Sequence, residues 1–162
     1  MKFKWAYVFL FFMLFAVIGY IREKFFVSLN HLMFIKYYNR NTELPPDHFI
    51  LVFKNIPYST LYYLKYPFTF FFVFLFAILS SLSVKFIVQE KKLVRWVIYS
   101  YLILLTLAGL SMLFGLLINN RLQNDEYTLS RWLLGIAQSP IITIVFLASN
   151  KLITQQTKTQ SE

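Results

Sequence analysis

No cysteine occurs among the 162 residues. Disulfides, thiolate nucleophiles, cysteine-ligated zinc and iron–sulfur clusters are therefore excluded together. Glycine is nearly as scarce. Its four positions (Gly19, Gly109, Gly115 and Gly135) all fall inside apolar runs, so no connection is built as a glycine linker. Charge is also sparse: Asp, Glu, Lys and Arg make up 14% of the chain, against roughly 25% in an average soluble domain. Acids number 7 against 16 Lys and Arg, a net charge of +9. What fills the chain instead is apolar and aromatic. Hydrophobic residues make up 58% and aromatics 20%, with 19 Phe and 11 Tyr, and the mean hydropathy is +0.57. A disordered chain, a coiled coil and an ordinary soluble domain are all incompatible with these values, because too few polar atoms remain to cover a water-facing surface.

Four charge-free runs organise the sequence as one four-helix membrane domain over residues 1–162. They cover residues 5–21, 66–84, 96–120 and 132–150, each bounded by Lys or Arg. A helix that crosses a bilayer needs about 20 apolar residues, with a range of roughly 17–25, and all four runs qualify. Apolar and polar residues do not alternate, which argues against a β-barrel. The first run follows Lys2 and Lys4 as a signal peptide would, but no small-x-small cleavage site comes after it, so an uncleaved anchor is expected. Basic residues tie at eight on each side of the four-span layout. Density separates the two sides: Lys85, Lys91, Lys92 and Arg95 fall within 11 residues, whereas the first loop spreads six over 44. The positive-inside rule then places both termini in the cytoplasm, with the bacterial inner membrane as the expected location.

The outer connection, residues 22–65, is expected to be structured. Lys24, Ser28 and His31 recur at helical spacing opposite Phe25, Leu29, Leu32 and Met33, which reads as a helix at the membrane surface or a continuation of the first span. Pro45 and Pro46 mark a turn. Residues 49–53 suit a short strand or a surface-dipping segment. Ser59 or Thr60 can cap the second helix, and Pro67 can kink it. The polar tail, residues 151–162, is expected to fray.

Two constellations stand out. In the third run Ser111 and Gly115 form a small-xxx-small pair, with Ala108 and Gly109 a turn earlier, a face on which helix backbones approach closely. The outer hairpin, residues 121–131, is the most polar connection. A helix running from it into the fourth span places Glu126 or Tyr127 on the face of Arg131. Within that span Pro140 frees the carbonyl of Ile136, beside Gln138 and Ser139. Asp125, Glu126, Arg131 and Gln138 are the candidates for a polar notch that takes an anionic lipid, a lipid-linked sugar or a partner's carboxylate. The plainer alternative is helix packing and interfacial anchoring, since Arg131 beside Trp132 is an ordinary membrane-edge pair.

Catalytic patterns are missing. There is no Gly-x-Ser-x-Gly, no His-x-x-His and no His-Glu-x-x-His, and His31 and His48 are the sole histidines. None of the four runs carries Asp, Glu, Lys, Arg or His, against the habit of ion-coupled pumps. No catalytic residue, metal or cofactor is expected. Nucleic acid is not an expected partner either, because the basic residues sit at the flanks of the apolar runs and form no separate stripe.

The stretches Ile21-Arg22-Glu23-Lys24-Phe25-Phe26 and Arg131 through Gln138-Ser139-Pro140, in their four-span setting, resemble the small membrane proteins that accompany exosortases of the F type. The resemblance covers the whole chain in layout and those two stretches in residues. It implies an accessory role near a membrane transpeptidase. The hairpin from Asn119 to Arg131 is longer than that layout expects, and the transpeptidase cysteine is absent. The expected function is therefore non-catalytic: binding or stabilising another membrane component, with a homo-oligomer as one form. The alternative is a binder of, or enzyme on, an anionic lipid or lipid-linked sugar at the notch around Arg131.

Overall fold

The structure is a computed structural model that describes residues 2–38, 48–119 and 128–159. Its regular structure is entirely helical, with no strand among these residues. Five α-helices follow in order: α1 (Lys2–Tyr37), α2 (Tyr58–Ile87), α3 (Lys91–Asn119), α4 (Thr128–Ala137) and α5 (Ile141–Thr159). A short 3-10 helix, His48–Phe53, precedes α2 and takes the place of the strand that was one of the two forms expected at 49–53. Three helices are long and apolar enough to cross a membrane, or four if the bent pair α4 and α5 counts as one span.

The first helix takes the second of the two forms expected for residues 24–38, a continuation of the first run. Local hydropathy ends the first run at Arg22, yet α1 continues without interruption to Tyr37, 36 residues in all. Backbone hydrogen bonding is indifferent to a charged side chain, and no proline and only one glycine lie along the segment. The connection of 44 residues therefore shrinks at both ends: residues 22–37 belong to α1 and residues 58–65 to α2. The helix that holds the first apolar run thus also carries Arg22, Glu23 and Lys24 beyond it.

Helix α2 begins at Tyr58, with the amide of Leu61 donating to the carbonyl of Pro57 at 3.1 Å. Ser59 and Thr60 lie inside the first turn and are not the cap. The helix runs on through Pro67, and Thr69 Oγ1 donates to the carbonyl of Lys65 nearby. Between α2 and α3 the chain turns at Gln89, whose φ of 66° is left-handed. A side chain is strained there, and glycine is the usual occupant.

The chain divides into two compact units, Ala16–Phe72 and the combination of Met1–Phe15 with Val73–Glu162. The first has an aromatic core. Phe25, Leu29, Leu32, Met33, Ile50, Leu61 and Phe72 are buried together. Phe25 sits at its centre, its ring 4.5 Å from that of Phe68 and 6.0 Å from that of Phe72. Such ring pairs contribute about 0.5–1.5 kcal/mol each beyond area burial. In the other unit, Phe15 stacks on Phe76 at 5.8 Å, and Tyr7 and Phe11 both stack on Phe86. There α2 is tied to α3 by one buried hydrogen bond, Ser80 Oγ to the Tyr101 hydroxyl at 2.8 Å. Helix α3 then packs against α4 and, to a lesser extent, α5.

Candidate functional site

The fourth apolar run was read as one helix over 132–150. The structure breaks it: the α4 and α5 axes meet at 62° across Gln138, Ser139 and Pro140. The cause is local. Pro140 has no amide to give the carbonyl of Ile136, and its ring clashes with a straight continuation. That carbonyl is taken instead by the Ser139 amide at 3.2 Å and by Ser139 Oγ at 2.7 Å. The Gln138 amide still reaches the carbonyl of Leu134 at 2.9 Å, closing α4. Ser139 Oγ also accepts from the amide of Ile141 at 3.4 Å, and the amide of Ile144 donates to the carbonyl of Pro140 at 3.0 Å. Ser139 thus braces the start of α5, and Pro140 stands immediately before the helix, where its missing amide costs nothing.

A shallow groove of about 390 Å³ opens at this elbow, lined by Arg131, Trp132, Gly135, Ile136 and Ile141. Arg131 and Gly135 are one helical turn apart, as are Trp132 and Ile136. Gly135 leaves the wall low: a Cβ added there would meet nothing within 4 Å. Arg131 and Trp132 are exposed, so the groove has a cationic lip and an apolar floor. An amphiphile with an anionic end suits this chemistry.

The expected notch is assembled only in part. Arg131 lies on the groove, but Gln138 is buried and is not among the residues lining it. Asp125 and Glu126 lie outside the described residues. Sequence reasoning did not single out Thr143, one turn into α5. It is buried, and its hydroxyl has no hydrogen-bond partner. Its distance of three residues from Pro140 was the one available signal, because the first turn after a proline break lacks its usual carbonyl partners.

On α3, Ala108 is buried and Ser111 half-buried. A Cβ added to Gly109 would meet nothing within 4 Å, so this glycine serves no close backbone approach within the chain. Gly115 lies on the same helix, near its end. Leu110, Leu113 and Phe114 around these positions are exposed. At the turn between α2 and α3, Lys85, Lys91, Lys92 and Arg95 are all exposed. Lys91 and Lys92 occupy the first turn of α3, where the helix dipole disfavours cations. Helix stability does not explain this basic cluster.

Among the described residues, no group of three or more His, Cys, Asp or Glu is placed to hold a metal. No protein-family model matches the chain, and no curated protein or solved structure matches it either.

Proposed function

We propose that the chain is a four-span integral membrane protein of the bacterial inner membrane with both termini in the cytoplasm. It acts as a non-catalytic accessory that binds or stabilises another membrane protein. The apolar surface of α3 carries this reading. Only 17% of the most apolar stretch of that helix is buried by the rest of the chain, and Leu110, Leu113 and Phe114, around Ser111, are exposed. Small residues on an apolar helix face let a second helix approach closely, and in lipid such packing is a main source of association. The exposed basic cluster from Lys85 to Arg95 supports the orientation. The resemblance to proteins that accompany F-type exosortases points to a membrane transpeptidase system as the setting.

A second reading is favoured by the groove at the α4–α5 elbow, which suits an anionic lipid or lipid-linked sugar held by Arg131. One purification separates the two. Extraction from native membranes in gentle detergent, with mass spectrometry of whatever accompanies the chain, yields a stoichiometric membrane protein if the accessory reading holds. Ser111→Leu and Gly115→Leu then lower that yield by about tenfold, the effect of roughly 1.4 kcal/mol of lost packing. An unchanged partner yield refutes the role given to this face. A retained lipid that disappears with Arg131→Ala, and no protein, transfers the function to the groove.

A further inference from the structure

Two groups of cations that are separate in sequence lie at one end of the unit combining Met1–Phe15 with Val73–Glu162. Lys85 is in the last turn of α2, and Lys91, Lys92 and Arg95 open α3. Only residues 88–90 separate these two helices, and the left-handed Gln89 turns the chain between them. The start of α1 joins them. Tyr7 and Phe11 stack on Phe86, at 5.6 and 6.2 Å. The first turn of α1, which holds Lys2 and Lys4, is therefore brought to the end of α2. Six basic positions thus share one end of this unit.

The chain itself gains nothing from this placement. Lys91 and Lys92 stand in the first turn of α3, where the helix dipole repels cations. Arg95 is four residues from Lys91 and three from Lys92, so like charges share one helix face and repel one another. Lys85, Lys91, Lys92 and Arg95 are exposed, and none has a hydrogen bond or ion pair among the described residues. Glu90 is the one acid between Lys85 and Arg95. Exposed rings border the cations. Phe86 follows Lys85, Trp96 follows Arg95, and Tyr99 meets the Trp96 ring edge-on at 6.1 Å. With α2 and α3 crossing the bilayer, as proposed above, the turn between them lies at the bilayer surface.

We propose that this end of the molecule is a binding surface for anionic phospholipids of the adjoining leaflet. Lys91, Lys92 and Arg95 take the headgroup phosphate, and Phe86, Trp96 and Tyr99 lie along the start of the acyl chains. Charge complementarity selects an anion, and the bordering rings select which one. A soluble anion would satisfy the cations and leave the rings in water, whereas an amphiphile covers both. Each cation held near an anionic lipid surface raises the affinity by about fivefold. The inference rests on insertion of the chain in a bilayer, and not on the partner assigned to α3.

Trp96 is a native reporter at this surface. Trp5 and Trp132, the other two tryptophans, are exposed and are replaced by Phe. The full chain is reconstituted in equal mixtures of phosphatidylglycerol and phosphatidylcholine, with one lipid or the other brominated. Quenching of Trp96 fluorescence then measures which lipid lies beside it. Phosphatidylglycerol is expected to be preferred by at least about fivefold. Lys91→Gln with Lys92→Gln lowers the preference by about fivefold or more, whereas Lys91→Arg with Lys92→Arg keeps it. Lys36→Gln with Lys54→Gln removes the same charge elsewhere and leaves the preference unchanged. The Gln pair at 91 and 92 takes cations out of the first turn of α3, so it is not expected to impair folding. Equal quenching by the two lipids, or a preference that survives this Gln pair, overturns the proposal. A preference lost in phosphate buffer but kept in chloride of the same ionic strength assigns the cations to a soluble anion and overturns it as well. No quenching by either lipid refutes insertion of this end, and the proposal with it, a failure distinct from equal quenching by both.

Discussion

The buried contact between Ser80 and Tyr101 permits a quantitative prediction. Both residues are enclosed, and their hydroxyls are 2.8 Å apart across α2 and α3. In a water-soluble protein such a bond contributes about 1 kcal/mol net. Between membrane helices the average is about 0.6 and the maximum about 1.7 kcal/mol, because a polar group left in lipid finds another partner. The two ends of this bond differ in that respect. A serine freed of its partner can turn back to a carbonyl of its own helix. The chain already does this repeatedly: Ser83 donates to the carbonyl of Ser80, Ser100 to that of Trp96 and Thr106 to that of Ile103. The Tyr101 hydroxyl, at the end of a rigid ring, has no such retreat. Tyr101→Phe is therefore expected to cost about 0.5–1 kcal/mol, and Ser80→Ala about 1–3 kcal/mol, since it strands a buried hydroxyl. The double variant costs less than the sum, with a coupling near 0.6–1.7 kcal/mol. Reversible unfolding in mixed micelles, followed by helical circular dichroism as denaturing detergent is titrated, measures all four proteins. Additive single effects would refute the contact, and a larger loss from Tyr101→Phe than from Ser80→Ala would refute the reasoning about the fallback bond.

Two further outcomes follow from backbone geometry. Pro140→Ala returns an amide that can bond the Ile136 carbonyl, so the 62° elbow should open toward a straight helix. Spin labels at Trp132 and Leu152, both exposed, should then move apart toward the ~30 Å of a straight 20-residue helix, and an unchanged distance would mean that packing and not Pro140 sets the bend. Gln89→Gly relieves the left-handed turn between α2 and α3 and should stabilise the protein by about 0.5–1 kcal/mol in the same detergent titration, whereas Gln89→Ala should not.

The sequence by itself determined the helical class and the apolar surfaces. Runs of Phe, Leu, Ile and Val with no alternation leave few other solutions; the first two runs fall wholly on helix, the third on α3 as far as Asn119, and the fourth on α4 and α5 on either side of the elbow. The helical spacing of Lys24, Ser28 and His31 against Phe25, Leu29, Leu32 and Met33 also survives as one helix with an apolar side packed inward. The freed carbonyl of Ile136 was legible because a missing amide at Pro140 is a property of one residue, which no neighbour can restore, but the 62° bend that follows was not. The tertiary structure decided where α1 stops. Hydropathy changes at Arg22, whereas the hydrogen-bonded backbone has no reason to end there, so of the two readings open for residues 24–38 the continuous helix is the one that forms. It also decided which polar groups meet. Ser80 and Tyr101 are 21 residues apart with no pattern linking them, and only the docking of α2 on α3 pairs them. The same holds at the elbow: adjacency along the run grouped Arg131 with Gln138, but the bend turned one onto an open groove and enclosed the other. Local chemistry is written residue by residue, whereas the partner of a buried polar group depends on which helix faces it, and packing alone sets that.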